Sequence, residues 1–375
     1  MRVVVLGAGP AGLYLAYLIK RRRPDTDVTV IEQNLADATF GFGVVFSDRA
    51  LEFLCEDDQE TYAAIVPHME SWNDIAVVHR SERVVIDGIG FAAIGRLKLL
   101  QLLQSRVRSV GIEPVYGYAV RNLGELSSAD LIIGADGVNS LVRRSWENNF
   151  GATVRFLTNR FAWFGTTKRF ETLTQTFVET ELGFFNAHHY RYAPDLSTFI
   201  IEVDQATFAR AGFPQMREAE TRMVCERVFA QALDGHPLIS NNSIWRQFPL
   251  VHNERWWVHN NVLIGDALHT AHFSIGSGTR LAMEDAIALE EALAVHSGDI
   301  DMALAVYEKT RRPVLEKLLS GANASALWYE HFAEHMRLAP IDFAMSYVTR
   351  SGRVDVDRLR ALSPGFVARY ERQCG

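Results

Sequence analysis

Cysteine is scarce in this chain: three occur among 375 residues, at Cys55, Cys225 and Cys374. No two are spaced as Cys-x-x-Cys, so the sequence offers neither a disulfide framework nor a thiolate zinc site. Positive charge is also short, with 38 Lys and Arg against 45 Asp and Glu and a net charge of −7. A surface that reads nucleic acid needs a basic excess, so nucleic acid is excluded as the expected main partner. No uncharged apolar run reaches membrane-spanning length. The apolar start, residues 3–19, differs from a secretory signal: Gly7, Gly9, Pro10 and Gly12 interrupt it, and the cluster Lys20-Arg21-Arg22-Arg23 follows it instead of preceding it. Internal repeats and low-complexity tracts are missing as well. With 48% hydrophobic and 22% charged residues, the expectation is a soluble cytoplasmic protein, monomer or homodimer, of one large or two closely joined domains.

What is present is glycine at strand-to-helix turns. Residues 2–6 read as a buried parallel strand, 11–23 as a helix and 27–31 as a second strand. Gly7-x-Gly9-x-x-Gly12 joins the first two, and Glu32 stands twenty residues after Gly12. Gly7 permits the turn, Gly9 lets a pyrophosphate approach the backbone, and Gly12 lets helix and strand pack closely. The helix N-terminus then faces the phosphates, and Glu32 can accept from ribose hydroxyls. That acid disfavours a 2′-phosphate, so the loop suits FAD or NAD.

Two more turns share this logic. Leu131-Ile-Ile133 is a short apolar strand running into Gly134-Ala-Asp136-Gly137, with Ser140 and Arg143 following. Val262-Leu-Ile264 delivers Gly265-Asp266, and Gly276 and Gly278 then open a helical pattern from Leu281. An Asx-type turn capping a helix would explain Asp136 and Ser140 locally. It would not explain three such turns in one chain, which suggest an extended cofactor gripped at several points. The expected fold class is therefore α/β. Rossmann-like dinucleotide-binding pieces (1–70, 96–155 and 256–325) are interleaved with β-rich insertions (71–95 and 156–255), and a helical segment (326–375) ends the chain.

The three motifs resemble those of the class A flavoprotein aromatic hydroxylases, the p-hydroxybenzoate hydroxylase type. On that resemblance the Rossmann-like pieces make an FAD-binding domain and the β-rich insertions a substrate-binding domain, and Gly7, Gly9 and Gly12 form the ADP-binding loop. Asp136-Gly137 is similar to the DG motif, associated with FAD and the nicotinamide cofactor. Gly265-Asp266 is similar to the GD motif, whose acid meets the flavin ribityl chain, and Arg96 resembles an arginine near the flavin phosphates. Thr39-Phe-Gly-Phe-Gly-Val-Val-Phe-Ser-Asp48 and His269-Thr-Ala-His272-Phe273-Ser-Ile-Gly276-Ser-Gly278-Thr279 are similar to the branch of that family that hydroxylates aryl-CoA thioesters. The chain departs from the wider family where His272 and Phe273 replace prolines after the GD motif, and where Arg280 replaces an asparagine.

The resemblance implies a monooxygenase that consumes NADH or NADPH and O2 and hydroxylates an electron-rich ring through a flavin C4a-hydroperoxide. Salicylyl-CoA, converted to 5-hydroxysalicylyl (gentisyl)-CoA, is the expected substrate. A hydroxylase of indole or tryptophan derivatives in a pigment pathway is the alternative, and a plain NAD-dependent dehydrogenase is a second class. His272 and Phe273 are the candidates to meet the substrate ring, with His272 able to hydrogen-bond a phenol or serve only as a backbone-satisfied helix-entry residue. Alternation along 183–192 puts Phe184, Asn186, His188 and Tyr190 on one face, a candidate pocket floor, with Trp163 as a wall. Arg80, Arg83, Lys168, Arg169 and Arg191 are candidate cations for CoA phosphates.

Overall fold

The computed structural model describes residues 1–47 and 51–374; Asp48, at the end of the Thr39 stretch, lies outside the described residues. A five-stranded sheet carries the glycine turns, in the order Trp257–Val258, Asn261–Leu263, Leu131–Gly134, Arg2–Leu6, Asp27–Ile31. All its pairings are parallel except the edge pair Trp257–Val258 with Asn261–Leu263. Its middle strands, Val3–Leu6 and Leu131–Ile133, are apolar without alternation and buried, as a parallel sheet covered on both faces requires. The helix Pro10–Arg22 packs against Gly278–Val295, which packs in turn against the long helix Ile300–Glu330.

A seven-stranded sheet runs Leu238–Ile239, Arg160–Thr166, Leu196–Val203, Gly183–Ala193, Leu173–Thr180, Ile75–His79, Glu82–Ile86. Its pairings are antiparallel except Leu173–Thr180 against Ile75–His79, where two segments far apart in the chain meet in parallel. Alternation is clear in Gly183–Ala193: Phe185 and Ala187 enter one apolar core, while Phe184 and Tyr190 join another on the opposite face. That second core is closed by the C-terminal helices, where the helix Pro340–Thr349 stacks Phe343 on His79 with ring centroids 4.4 Å apart. A three-stranded sheet, Gly43–Ser47, Phe91–Gly95 and Glu70–Trp72, links the two large sheets. No helix among the described residues is long and apolar enough to cross a membrane.

Candidate active site

The three glycine turns converge on one cleft. Its first half, a cavity of about 370 Å³, is bounded by Gly7, Gly9, Glu32, Arg96, Asp136 and Gly137. Its second half, about 320 Å³, is bounded by Gly9, Arg96, Gly137, Asp266, Gly276 and Gly278 among others. Gly9, Pro10, Arg96, Ala135 and Gly137 border both, so the cleft is continuous past Arg96.

The glycines of the first turn do different work. Gly7 has φ +102°, and a Cβ there would lie 2.3 Å from the carbonyl oxygen of Ala135. A Cβ on Gly12 would lie 2.0 Å from the oxygen of Gly7, so these two positions are closed by packing. A Cβ on Gly9 would meet nothing within 4 Å, and the same is true of Gly137. Both border the cleft, so the space a side chain would fill is left for a ligand. Gly9 is also the N-cap of Pro10–Arg22 and supplies no side-chain cap, which leaves that helix end free for an anion. Glu32 accepts from the Ala8 amide at 2.9 Å and from the Asn34 amide at 2.8 Å, which fixes it at the far end of the cleft.

Asp136 shows the two sides of an Asx turn. One carboxylate oxygen accepts from the Leu141 amide at 2.6 Å, while the other is buried with no partner. Burial raises its carboxyl pKa. Asp266 is exposed to solvent on the cleft floor yet walled by protein, and this enclosure raises its carboxyl while His269 and Arg96 pull it down. The open glycines, the uncapped helix end, the orphaned Asp136 oxygen and the facing Arg96 and Asp266 fit the phosphate and polyol portions of a dinucleotide.

Two braces hold these turns, and sequence reading missed both. Arg143, buried, donates to Ala267 O at 2.8 Å and to Val138 O, tying the Asp136 turn to the Asp266 turn. Asp285, fully buried, accepts from the Gly265 amide at 3.1 Å and from Arg311 Nε at 2.8 Å, and meets His269 Nε2 at 2.6 Å. Burial pushes the Asp285 carboxyl up, but His269 and Arg311 outweigh it and the net direction is down. The only signal in the sequence was an acid inside the apolar stripe Leu281, Met283, Ala286, a place where charge is costly unless paired.

Around the second half of the cleft the expected substrate residues divide. Trp163, His188, Tyr190 and Phe273 border it. His272 does not: its ring is packed among Phe248, Phe273 and Tyr329, and its Nδ1 pairs with Ser274 Oγ at 2.8 Å. Its place is therefore behind Phe273, because the tight turn that begins at Phe273 directs its ring inward. Asn186 is also set back, bonded to Gln175 Oε1 at 3.2 Å with its own Oδ1 unpartnered. Tyr190 is satisfied by donating to Gly43 O at 2.8 Å. His188 is 2% exposed with neither ring nitrogen partnered. Burial, reinforced by Arg350, pushes its pKa down to about 3, and burial does the same for His272. Both imidazoles are neutral over any working pH range.

Of the candidate cations, Arg80 donates to Met336 O and Arg337 O, Lys168 pairs with Asp234 at 2.7 Å, and Arg191 pairs with Glu70 at 2.7 Å. Arg80, Arg83 and Lys168 border a separate cavity of about 510 Å³ that shares no bordering residue with the cleft.

Comparison with known proteins agrees with this geometry. Residues 115–322 match the FAD binding domain family, and residues 5–36 match an NAD(P)-binding Rossmann-like domain. The chain is 43% identical to a salicyloyl-CoA 5-hydroxylase of Streptomyces sp over 94% of its length and 70% of the relative. It is 36% identical to 3-hydroxy-4-methyl-anthranilyl-[aryl-carrier protein] 5-monooxygenase of Streptosporangium sibiricum, over 98% of this chain and 99% of that one. Among solved structures, Pseudomonas aeruginosa PqsL in complex with 2-aminobenzoylacetate shares the fold with a TM-score of 0.69 at 21% identity, covering 89% of this chain and 98% of its own. The chain belongs to the FAD-binding class A flavoprotein hydroxylases and is an FAD- and NAD(P)H-dependent aromatic monooxygenase.

Proposed function

We propose that the enzyme hydroxylates an aryl-CoA thioester, salicylyl-CoA at C5, giving gentisyl-CoA at the expense of O2 and NADH or NADPH. The observation that carries this reading is the second half of the cleft, where an unpartnered, neutral His188 lies among Trp163, Phe161, Phe248 and Phe273. The similarity to a salicyloyl-CoA 5-hydroxylase supports the choice of ring.

FAD, when bound, accepts hydride and activates oxygen for transfer to the ring. Gly9, Arg96, Asp136 and Asp266 would hold its phosphates and ribityl chain. The aromatic walls exclude water from the reacting edge. With a pKa near 3, His188 is too weak a base to remove a phenolic proton at neutral pH, so it acts by orientation. Its free nitrogens can bond the ring hydroxyl or the thioester carbonyl and so fix which carbon is presented. In salicylyl-CoA, C5 is para to the hydroxyl and meta to the carbonyl, and both substituents direct attack there. His272 acts through Phe273, whose ring it touches with centroids 4.2 Å apart.

An absorbance titration of the flavin-loaded enzyme with salicylyl-CoA, 2-aminobenzoyl-CoA, free salicylate and tryptophan tests this reading. The expected outcome is a flavin spectral shift and stimulated NAD(P)H oxidation with the thioesters alone, and a 5-hydroxy product from salicylyl-CoA. Stimulation by tryptophan or free salicylate, with both thioesters inert, would overturn it.

A further inference from the structure

Beside the flavin-side cleft lies another cavity, about 350 Å³, which shares Val45, His188, Gly276 and Ser277 with it. Its two ends differ in chemistry. Ile75, Phe91, Leu173 and Val348 make the inner wall apolar, and His188 stands where the two cavities meet. The outer rim carries Arg280, Arg350, Arg353 and Arg358.

These arginines are not equivalent. Arg280 is paired with Glu284 at 2.6 Å. Arg350 is anchored without a carboxylate: it donates to Ser325 Oγ at 2.9 Å and Ser274 O at 2.8 Å, and stacks on Tyr347 at 3.9 Å. Arg353 and Arg358 are exposed, and neither has a carboxylate partner among the described residues; Arg358 donates to Arg353 O at 3.4 Å. The stem of Arg353 closes on the long helix at Gly321, where a Cβ would lie 2.6 Å from its Cδ. Burial and the neighbouring Arg280 and Arg358 lower the Arg353 pKa, as expected for like charges gathered without an anion. Such a cluster is stabilised by a multiply charged anion, and guanidinium forks match phosphate oxygens.

A cationic rim, an apolar neck and an unpartnered imidazole at the inner end match the parts of one molecule. We propose that this cavity seats the phosphopantetheine arm of the CoA thioester, with Arg353 and Arg358 receiving its phosphates and the aryl group passing His188 into the flavin-side cleft. Arg350 adds positive potential to the neck. This rests on the aryl-CoA reading above and adds where the handle of the substrate is held. The cations around Arg80 and Lys168 are excluded from that role, because their cavity does not communicate with the cleft through any shared residue.

The test is steady-state kinetics of the flavin-loaded R353A/R358A double variant. Salicylyl-CoA, its 3′-dephospho form and the phosphate-free salicylyl-pantetheine thioester are compared. Loss of charge-assisted bonds to phosphate should raise KM for salicylyl-CoA on the order of tenfold or more. The 3′-dephospho form should rise less. The KM for the pantetheine thioester, kcat and the KM for the nicotinamide cofactor should match wild type. An R353K/R358K variant should recover most of the affinity. An unchanged KM for salicylyl-CoA, an equal rise with the phosphate-free thioester, or a rise confined to the nicotinamide cofactor would each overturn the proposal. Wild type that hydroxylates an aryl group on a carrier protein and ignores salicylyl-CoA would remove CoA as the occupant. Wild type inert with every thioester would overturn the substrate reading itself, without recourse to any variant.

Discussion

Around the five-stranded sheet the cleft is bordered by open glycine turns and charged side chains, whereas over the seven-stranded sheet it is bordered by aromatic rings and the neutral His188. In the first region space is carved by glycine, and the polar groups nearby are tied to each other: Glu32 to the Ala8 amide, Asp285 to Gly265, His269 and Arg311. Even so, each region leaves a buried polar group without a partner at the cleft: Oδ1 of Asp136 in the first and both nitrogens of His188 in the second. Leaving such groups unpaired costs stability, on the order of 1–3 kcal/mol each. A protein bears that cost where a ligand or ordered water completes the bonding. One region thus offers glycine-opened space beside charge, suited to an extended polar molecule, and the other an apolar wall with one polar group, suited to a ring.

The sharpest way to break this comparison is at the first glycine turn. G7A places a methyl 2.3 Å from Ala135 O at φ +102° and should abolish folding of the cofactor region. G9A meets no atom within 4 Å, so it should leave circular dichroism and apo-enzyme Tm near wild type while flavin content falls. Equal loss of Tm in both variants would contradict the assignment of Gly9 to ligand space.

D285N comes next in size. It removes one of the two carboxylates that pair with buried Arg311, leaving Glu284 at 2.9 Å, and takes the anion from the Gly265 amide; breaking such a buried pair costs up to about 3–5 kcal/mol. Urea unfolding would measure this, and a change below about 1 kcal/mol would show that the Asp266 turn holds without its brace.

The smallest effect concerns His188. H188L should lower kcat/KM for the aryl thioester by about ten- to hundredfold at unchanged flavin content. It should also alter the acid limb of stability. The unfolded chain protonates a histidine near pH 6.5, whereas His188 in the folded protein resists until about 3. The contribution of the neutral form is therefore complete above about pH 6.5 and is lost as pH falls toward 3. At pH 4.5 this amounts to roughly 2–3 kcal/mol, which H188L would not lose. Parallel acid limbs for H188L and wild type would mean that His188 takes up protons in the folded state.

The same contrast governs what was legible in the sequence. The Gly7, Asp136 and Asp266 turns were readable because each is local: a strand, a turn and a helix within a few residues. The face shared by His188 and Tyr190 was readable because strand periodicity is also local. The Asp285 brace joins residues 265, 269, 285 and 311, and only the packing of two helices brings them together. Arg350, Arg353 and Arg358 reach the cavity beside the cleft because the C-terminal helices fold back over the second core, and no spacing announces that. His272 was misplaced for the opposite reason: adjacency to Phe273 along the chain says nothing about which of two neighbouring rings a tight turn points outward.

The order of strands in the five-stranded sheet has a consequence for synthesis. Leu131–Gly134 lies between Arg2–Leu6 and Asn261–Leu263, so the sheet is complete only after residue 263 has left the ribosome. Until then the N-terminal strands and their apolar helix have no full partner, for tens of seconds at a translation rate of about 5–20 residues per second. The yield on expression should therefore depend on how quickly residues 32–263 are translated.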